Sequence, residues 1–517
     1  MRSESIPRWR HPSNCRRTLA ACWSKGCAST GFAGGRPSRA SAMSSSTKSS
    51  AFWPPGGRSP PGRTTAGCWS ATRTSPINPA AASLPRWTRG RGGSTRSRTN
   101  SPRRRSATHF GSRARQPMNL RNTMTKAMKV TTNVRNFIPR TLCAALAAAV
   151  AVGAAGLARG EQATIFVGTY TRGTDSEGIY SFRFDDATGA LTPLGVTGDV
   201  ENPSFLALHP SGQLLYSSDE INDFDGGATG TVSAFAIDAN AGELKLLNRE
   251  PVGGTSPCHL SVDATGGSVL AVGYGSGTVT ELPLTGDGRL QPARTVLTHA
   301  GSSVNKDRQT SPHPHQIVLS PDNRFALVPD LGTDKIVQYK FDPASGLAAN
   351  APTHVATAAG AGPRHVAFHP SGRTVYAINE LDLTVDQYDY DADRGTLACR
   401  ATVPLLPADA DRTGASGAEI AVHPNGRTLY ASVRGPDEIV AFRIDGSSGA
   451  LTPLQRVSTG GKTPRFFGLD PSGRWLLACN QNSGTIVVFR AGNDGRLEPT
   501  AHKVNVPAPV CVVFVPR

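Results

Sequence analysis

Acidic residues are almost absent from the first 160 positions, where Glu4 stands alone against 28 lysines and arginines. The whole-chain formal charge of +17 therefore describes no single folded body. Apolar periodicity is missing too from residues 1–117, where five of the six tryptophans and four of the nine cysteines lie scattered among Ser, Arg, Pro and Gly, so no core is expected there. Two readings of that stretch stand: a basic tail that neutralises nucleic-acid phosphate, or an upstream region read in frame ahead of a start at Met118, Met124 or Met128. The second is the expectation. From Glu161 onward 27 bases face 37 acids, and no nucleic-acid partner is expected for this part.

Beyond residue 160 there is no CxxC spacing. Cys258, Cys399, Cys479 and Cys511 are far apart, which identifies neither a disulfide framework nor a zinc site, and buried free thiols are expected. No serine sits in a nucleophile elbow and no glycine-rich loop opens a helix, so acyl-enzyme and nucleotide chemistry have little support.

Arg135 and Arg140 precede the run TLCAALAAAVAVGAAGLA, which ends in the small residues Gly156 and Ala158. A charged segment, a short apolar segment and a small-x-small site make a secretory signal over about 135–158. The run is rich in Ala rather than Leu, which weakens an uncleaved anchor. The expected organisation is a basic leader at 1–117, a signal region at 118–160 and one folded domain at 161–517, exported to the periplasm or beyond, or cytoplasmic if the signal is not used. No stable membrane span is expected after cleavage.

The folded part is repetitive. HPSG at 209–212, SPDN at 320–323, HPSG at 369–372, HPNG at 423–426 and DPSG at 470–473, with a weaker DATG at 263–266, each lie between alternating apolar segments such as HVAF and TVY. That pattern is strand, turn, strand. A glycine followed closely by leucine closes each unit, at Gly189, Gly242, Gly288, Gly346, Gly395, Gly449 and Gly495. Seven closures imply seven units of four short antiparallel strands, which is the make-up of propeller blades. The first unit starts abruptly with TIFVGTY and lacks an inner strand, whereas the chain ends on PAPVCVVFV, an inner strand with nothing after it. An all-β, seven-bladed β-propeller follows, closed by the C-terminal strand pairing into the first blade, which removes exposed edges. His209, His369 and His423 recur at one turn position and are expected to be structural.

Chemistry is sought where the repeat changes residue type but keeps its register. Pro203, Pro257, Pro314, Pro363, Gly417, Pro464 and Pro509 share one register position, and the residues after them include Cys258, His259, His315, Arg364, His365, Glu419 and Arg465. The second strand returns antiparallel, so its end lies beside that start, which adds Tyr170, Glu220, Tyr274, Glu380, Arg434 and Gln481. His259, His313, His315, Arg364, His365, Glu380, Glu419, Arg434, Arg465 and Gln481 are thereby expected around one channel mouth. Clustered arginines call for a carboxylate or phosphate, and His with Glu supplies proton transfer near neutral pH. The roles assigned are catalysis for His315, Glu380, His313 and Glu419, and substrate binding for Arg364, Arg434, Arg465, His365, Gln481 and His259. His313, His315 and a glutamate could instead hold a metal, but the prolines beside the histidines and the crowd of arginines disfavour a second cation. No metal and no other cofactor is expected.

The stretches SPHPHQ, GPRHVAFHPSGRTVYAINE, GAEIAVHPNGRTLYASVRG and TPRFFGLDPSGRWLLACNQNSGTIVVF, in this order, resemble the lactonase family of seven-bladed propellers, which includes bacterial 6-phosphogluconolactonase and fungal carboxymuconate cyclase. The resemblance covers nearly all of 164–517. It implies hydrolysis of a sugar lactone, or the lactonising cyclisation of a muconate, without a required metal or nucleotide. The site of the cyclase branch, a His, two Arg and a Glu, corresponds to His315 or His313, Arg364, Arg434 and Glu380. An exported protein does not meet a cytoplasmic phosphosugar, so the signal and the resemblance pull toward different substrates. A non-catalytic exported propeller that binds a surface ligand is the third class left open by the fold. The expected partner is a small anionic lactone or sugar acid, and the expected state is a monomer.

Overall fold

Seven sheets arranged as blades account for the computed structural model, which describes residues 162–516. The expectations for the leader and the signal fall outside the described residues. Six blades are four-stranded sheets, and the blade at 318–356 carries five short strands. Thr278–Pro283 and Glu438–Ile444 are third strands of their blades. The one helical turn among the described residues is a 3-10 turn at Gln481–Ser483. No helix there is long and apolar enough to cross a membrane.

Blades stack face to face, so a middle strand is covered on both sides. The second strands Ser268–Gly273, Phe325–Asp330 and Trp475–Asn480 are buried at every residue and read as continuous apolar runs. Outer strands such as Leu497–Asn505 have one face in water and alternate. The core is thus a ring of interfaces between blades, as in the cluster of Ile378, Val385, Ile420, Leu429 and Phe442.

Closure is as expected. Pro509–Phe514 pairs antiparallel with Gln162–Thr169, Ile165 opposite Phe514 and Gly168 opposite Cys511, and supplies the inner strand of the first blade.

Neighbouring blades are also tied by side chains. Tyr216, Tyr376 and Tyr430 donate their hydroxyls to the carbonyls of Gly288, Gly449 and Gly495 at 3.0, 2.7 and 3.0 Å. Gly495 has φ 86°, and a Cβ there would sit 2.1 Å from Thr428 Oγ1, so the closing glycine is a close-approach requirement as well as a turn. The Nε2 atoms of His209, His369 and His423 lie 3.2, 2.9 and 2.9 Å from the carbonyl oxygens of Gly266, Gly426 and Gly473 in the following blade. These histidines are structural ties, each worth on the order of 1 kcal/mol. Cys258, Cys479 and Cys511 are buried free thiols, whereas Cys399 is half-buried and not one of them.

One blade departs from the regular pattern. The segment with His313 and His315 is not a continuous strand: Pro314 makes an isolated bridge to Asp330, and the inner strand shrinks to Val318–Leu319. Pairing survives as two hydrogen bonds, His315 N to Pro329 O and Leu331 N to His313 O, each 3.0 Å. Other bonds leave toward neighbouring blades, since the Gln316 side chain accepts from Val366 N at 2.6 Å and Cys258 Sγ reaches His315 O at 3.5 Å.

Candidate active site

Each regular inner strand starts at its register residue, or one residue before it in the case of Gly417, and bulges just after it. The pairing slips between Pro203 and Phe205, Pro257 and His259, Pro363 and His365, Gly417 and Ile420, and Pro464 and Phe466. A bulge sets two residues against one and breaks the in-out alternation of a strand. Arg364 and His365 consequently both line the central chamber, as do Ser204 with Phe205 and Arg465 with Phe466. The bend is prepared one residue earlier: Asn202, Ser256, Thr463 and Ala508, each just before a register proline, have positive φ, as has Gly362. Non-glycine residues in that region hold strain of the kind found at functional sites.

The chamber is tight, with a free volume of about 10 Å³, room for a water molecule. His315 and His365 face it with ring centroids 5.2 Å apart, and His259 stands 5.4 Å from His365 while packing on Phe205 at 3.9 Å. All three rings are buried. Burial, reinforced by the arginines and by one another, pushes their pKa values well below the ordinary histidine value, so they are neutral at pH 7. His365 Nδ1 lies 3.0 Å from Glu419 Oε2, and its Nε2 lies 3.3 Å from Arg364 Nη1. Burial drives the Glu419 carboxyl up to about 8, with Arg364 opposing it in part. His365 and Glu419 therefore hold one proton between them near neutral pH.

Above the chamber Glu380 gathers three guanidinium groups. Its Oε1 is 2.6 Å from Arg308 Nη2, and its Oε2 is 2.9 Å from Arg434 Nη2 and 3.2 Å from Arg364 Nε. Burial alone would raise its pKa, but Arg434, Arg364 and Arg308 outweigh it and hold the carboxyl at about 2. The expected proton handler thus sits at the site as an ionised counter-ion. Carbonyls freed by the bulge in the strand Ser416–Val422 anchor two of the arginines: Ala418 O accepts from Arg364 Nη1 at 2.7 Å and Gly417 O from Arg434 Nη2 at 2.8 Å. Burial and the nearby Arg465 and Arg434 lower Arg364 to about 10, where it stays charged.

Arg465 lies over the Tyr170 ring at 5.4 Å, and Tyr170 donates its hydroxyl to Glu220 at 2.8 Å. Burial raises the Glu220 pKa, with Arg465 opposing. Four guanidinium groups thus stand against three carboxyls, Glu380, Glu220 and Glu419, and even with all three ionised the excess of positive charge favours an anion.

Of the ten residues expected at the mouth, His259, His315, Arg364, His365, Glu380, Glu419, Arg434 and Arg465 come together. His313 sits at the rim, stacked on Tyr274 at 4.4 Å with Nδ1 2.8 Å from Tyr274 O. Gln481 does not join them: it opens the 3-10 turn and lines a separate surface pocket with Gly173 and Asn505. Arg308 was not expected, because it lies in a loop outside the repeat. Tyr170, Glu220 and Tyr274 stand at the expected ring position, which gave them no role.

Residues 164–514 match the family model described as Lactonase, 7-bladed beta-propeller. A protein named 6-phosphogluconolactonase from Bacillus subtilis (strain 168) is 38% identical over 351 residues, 68% of this chain and 97% of that protein. Another of that name, from Formosa agariphila, is 34% identical over 330 residues, 63% of this chain and 92% of its own length. Among solved structures, the periplasmic gluconolactonase of Pseudomonas aeruginosa is 33% identical with a TM-score of 0.65, covering 69% of this chain and 99% of that one.

Proposed function

Because the chain belongs to the lactonase family of seven-bladed β-propellers, we propose that it hydrolyses a sugar lactone whose anionic group is held by arginines at the mouth of the central channel. The relatives named 6-phosphogluconolactonase support the sugar lactone hydrolase. The observation that carries the finer reading is the set of Arg308, Arg364 and Arg434 on one ionised Glu380 with Arg465 beside them.

The lactone ring docks on the mouth of the chamber with its carbonyl oxygen toward Arg364 and Arg465, whose fixed charges stabilise the oxyanion that forms on water attack. His315 has Nδ1 turned to Cys258 at 3.9 Å, which leaves Nε2 for a water molecule. As a neutral imidazole it takes the proton from that water as the oxygen bonds to the carbonyl carbon. When the ring C–O bond breaks, the proton shared by His365 and Glu419 is available to the departing oxygen. The products are a free carboxylate and a hydroxyl.

A metal is not needed in this scheme, and the excess of guanidinium charge opposes one. Export follows from the signal pattern and is supported by the similarity to a periplasmic gluconolactonase. The test is hydrolysis of a lactone panel by the purified chain, with and without chelator, against the spontaneous rate in the same buffer. Turnover that survives chelator supports the reading, and rates equal to buffer with every lactone contradict it.

A further inference from the structure

The loop 299–313 lies between the outer strand Thr295–Thr298 and the bridge at Pro314, and it brings Arg308 over the channel mouth. Besides Glu380, the Arg308 guanidinium reaches Tyr274 Oη at 3.4 Å. Its side chain is 41% exposed, against 3% for Arg364 and 15% for Arg434, so it is the charge most open to an arriving ligand. Glu380 gives Oε1 to Arg308 and Oε2 to the other two, so Arg308 can turn toward a second anion while Arg364 and Arg434 stay paired. The chamber below has a free volume of about 10 Å³, so a lactone and its charged substituent are met at the mouth, where Arg308 stands.

A buried carboxylate fixes the loop. Asp334 accepts from Gln309 Nε2 and Gly362 N on Oδ1, at 2.7 Å each, and from Ser303 Oγ and Gly360 N on Oδ2, at 2.5 and 2.7 Å. Gly362 directly precedes Pro363 and Arg364, and its carbonyl accepts from Glu380 N at 2.8 Å. One side chain thereby ties the loop bearing Arg308 to the backbone that places Arg364 and Glu380.

We infer that Arg308 is a specificity-determining residue that binds the anionic substituent of the substrate, away from the ester, and that Asp334 is the positioning residue that holds it there. The inference rests on the lactonase reading. It concerns preference between substrates, which separates its failure from that of the reading itself.

The experiment measures kcat and KM for 6-phosphoglucono-δ-lactone and glucono-δ-lactone, and the affinity for 6-phosphogluconate and gluconate by calorimetry. The proteins compared are the full chain, Arg308→Gln, Arg308→Lys, Asp334→Asn, and the surface control Arg394→Gln, which leaves all values unaltered. Loss of one charge-assisted contact is worth about tenfold. Arg308→Gln is expected to raise KM for the phosphorylated lactone by that factor or more, with a smaller effect on the neutral one and on kcat, and to weaken 6-phosphogluconate but not gluconate. Arg308→Lys restores part of the preference, and Asp334→Asn moves the same ratio by less, below its melting temperature. Equal effects on both lactones, no effect, or a wild-type chain with no preference for either phosphorylated compound would overturn the inference. Absent turnover with the binding preference intact would instead overturn the lactonase reading and support the role of Arg308.

Discussion

Glu419 Oε2 lies 3.0 Å from His365 Nδ1, both side chains buried, behind the wall of a chamber lined by His365, His315, Arg364 and Arg465 among others. With its carboxyl raised to about 8 against an ordinary value of 4.5, the folded protein holds a proton that the unfolded chain releases. The stability that this group contributes is full below pH 4.5 and is lost as pH rises through about 8. Glu419→Gln removes that loss. Its melting temperature relative to the parent should rise between pH 5 and pH 9, by the equivalent of a few kcal/mol at most; a constant difference would show that Glu419 is ionised throughout.

Glu380 has the opposite sign. Held at about 2, it contributes stability that is present above pH 4.5 and lost as pH falls toward 2. His259, His315 and His365, neutral in the fold, add a loss that starts below about pH 6.5. Glu380→Gln leaves three guanidinium groups without their counter-ion and should cost roughly 3–5 kcal/mol at pH 7, with a shallower acid limb in urea unfolding at pH 7 and pH 3.

The fold was open to sequence reasoning because its signals repeat. The register prolines, the HPSG turns and the mismatched ends TIFVGTY and PAPVCVVFV each report a backbone requirement that recurs in blade after blade. The ring position was open for the same reason, down to Glu380 and Arg434. What did not repeat was not legible. Arg308 belongs to a loop with no counterpart in other blades, and its address depends on Asp334, Gln309 and Gly362, which are far apart in the chain. Gln481 stands at the right count of residues but begins a 3-10 turn that sends it outward. The role of Glu380 depended on how many cations meet it, a number that alignment alone does not supply.

His315 and His313 should separate in kinetics. His315 lines the chamber, whereas His313 is stacked on Tyr274 with Nδ1 bound to a carbonyl. His315→Asn should lower kcat by about 10²-fold or more, and His313→Ala by less than about tenfold. Equal losses would assign the proton to the pair or to His365.

Removal of residues 509–517 deletes the strand that closes the ring and exposes the edge of Gln162–Thr169. Val510, Cys511, Val512 and Val515 are buried there, and aliphatic side chains lose roughly 1.5–3 kcal/mol each on exposure, which together rivals the whole stability of a domain. The truncated chain should elute as aggregate in size-exclusion chromatography and lose its cooperative melt. A monomeric, cooperatively folding product would contradict ring closure as a stability requirement.

The most direct measurement is the initial rate of 6-phosphoglucono-δ-lactone hydrolysis by the purified chain and by Arg364→Gln, in chelator, corrected for the spontaneous rate. Clear turnover by the parent is expected, with a fall in kcat of about 10²–10³-fold in the variant, the cost of removing one oxyanion-stabilising group. A variant as fast as the parent at equal melting temperature would contradict it.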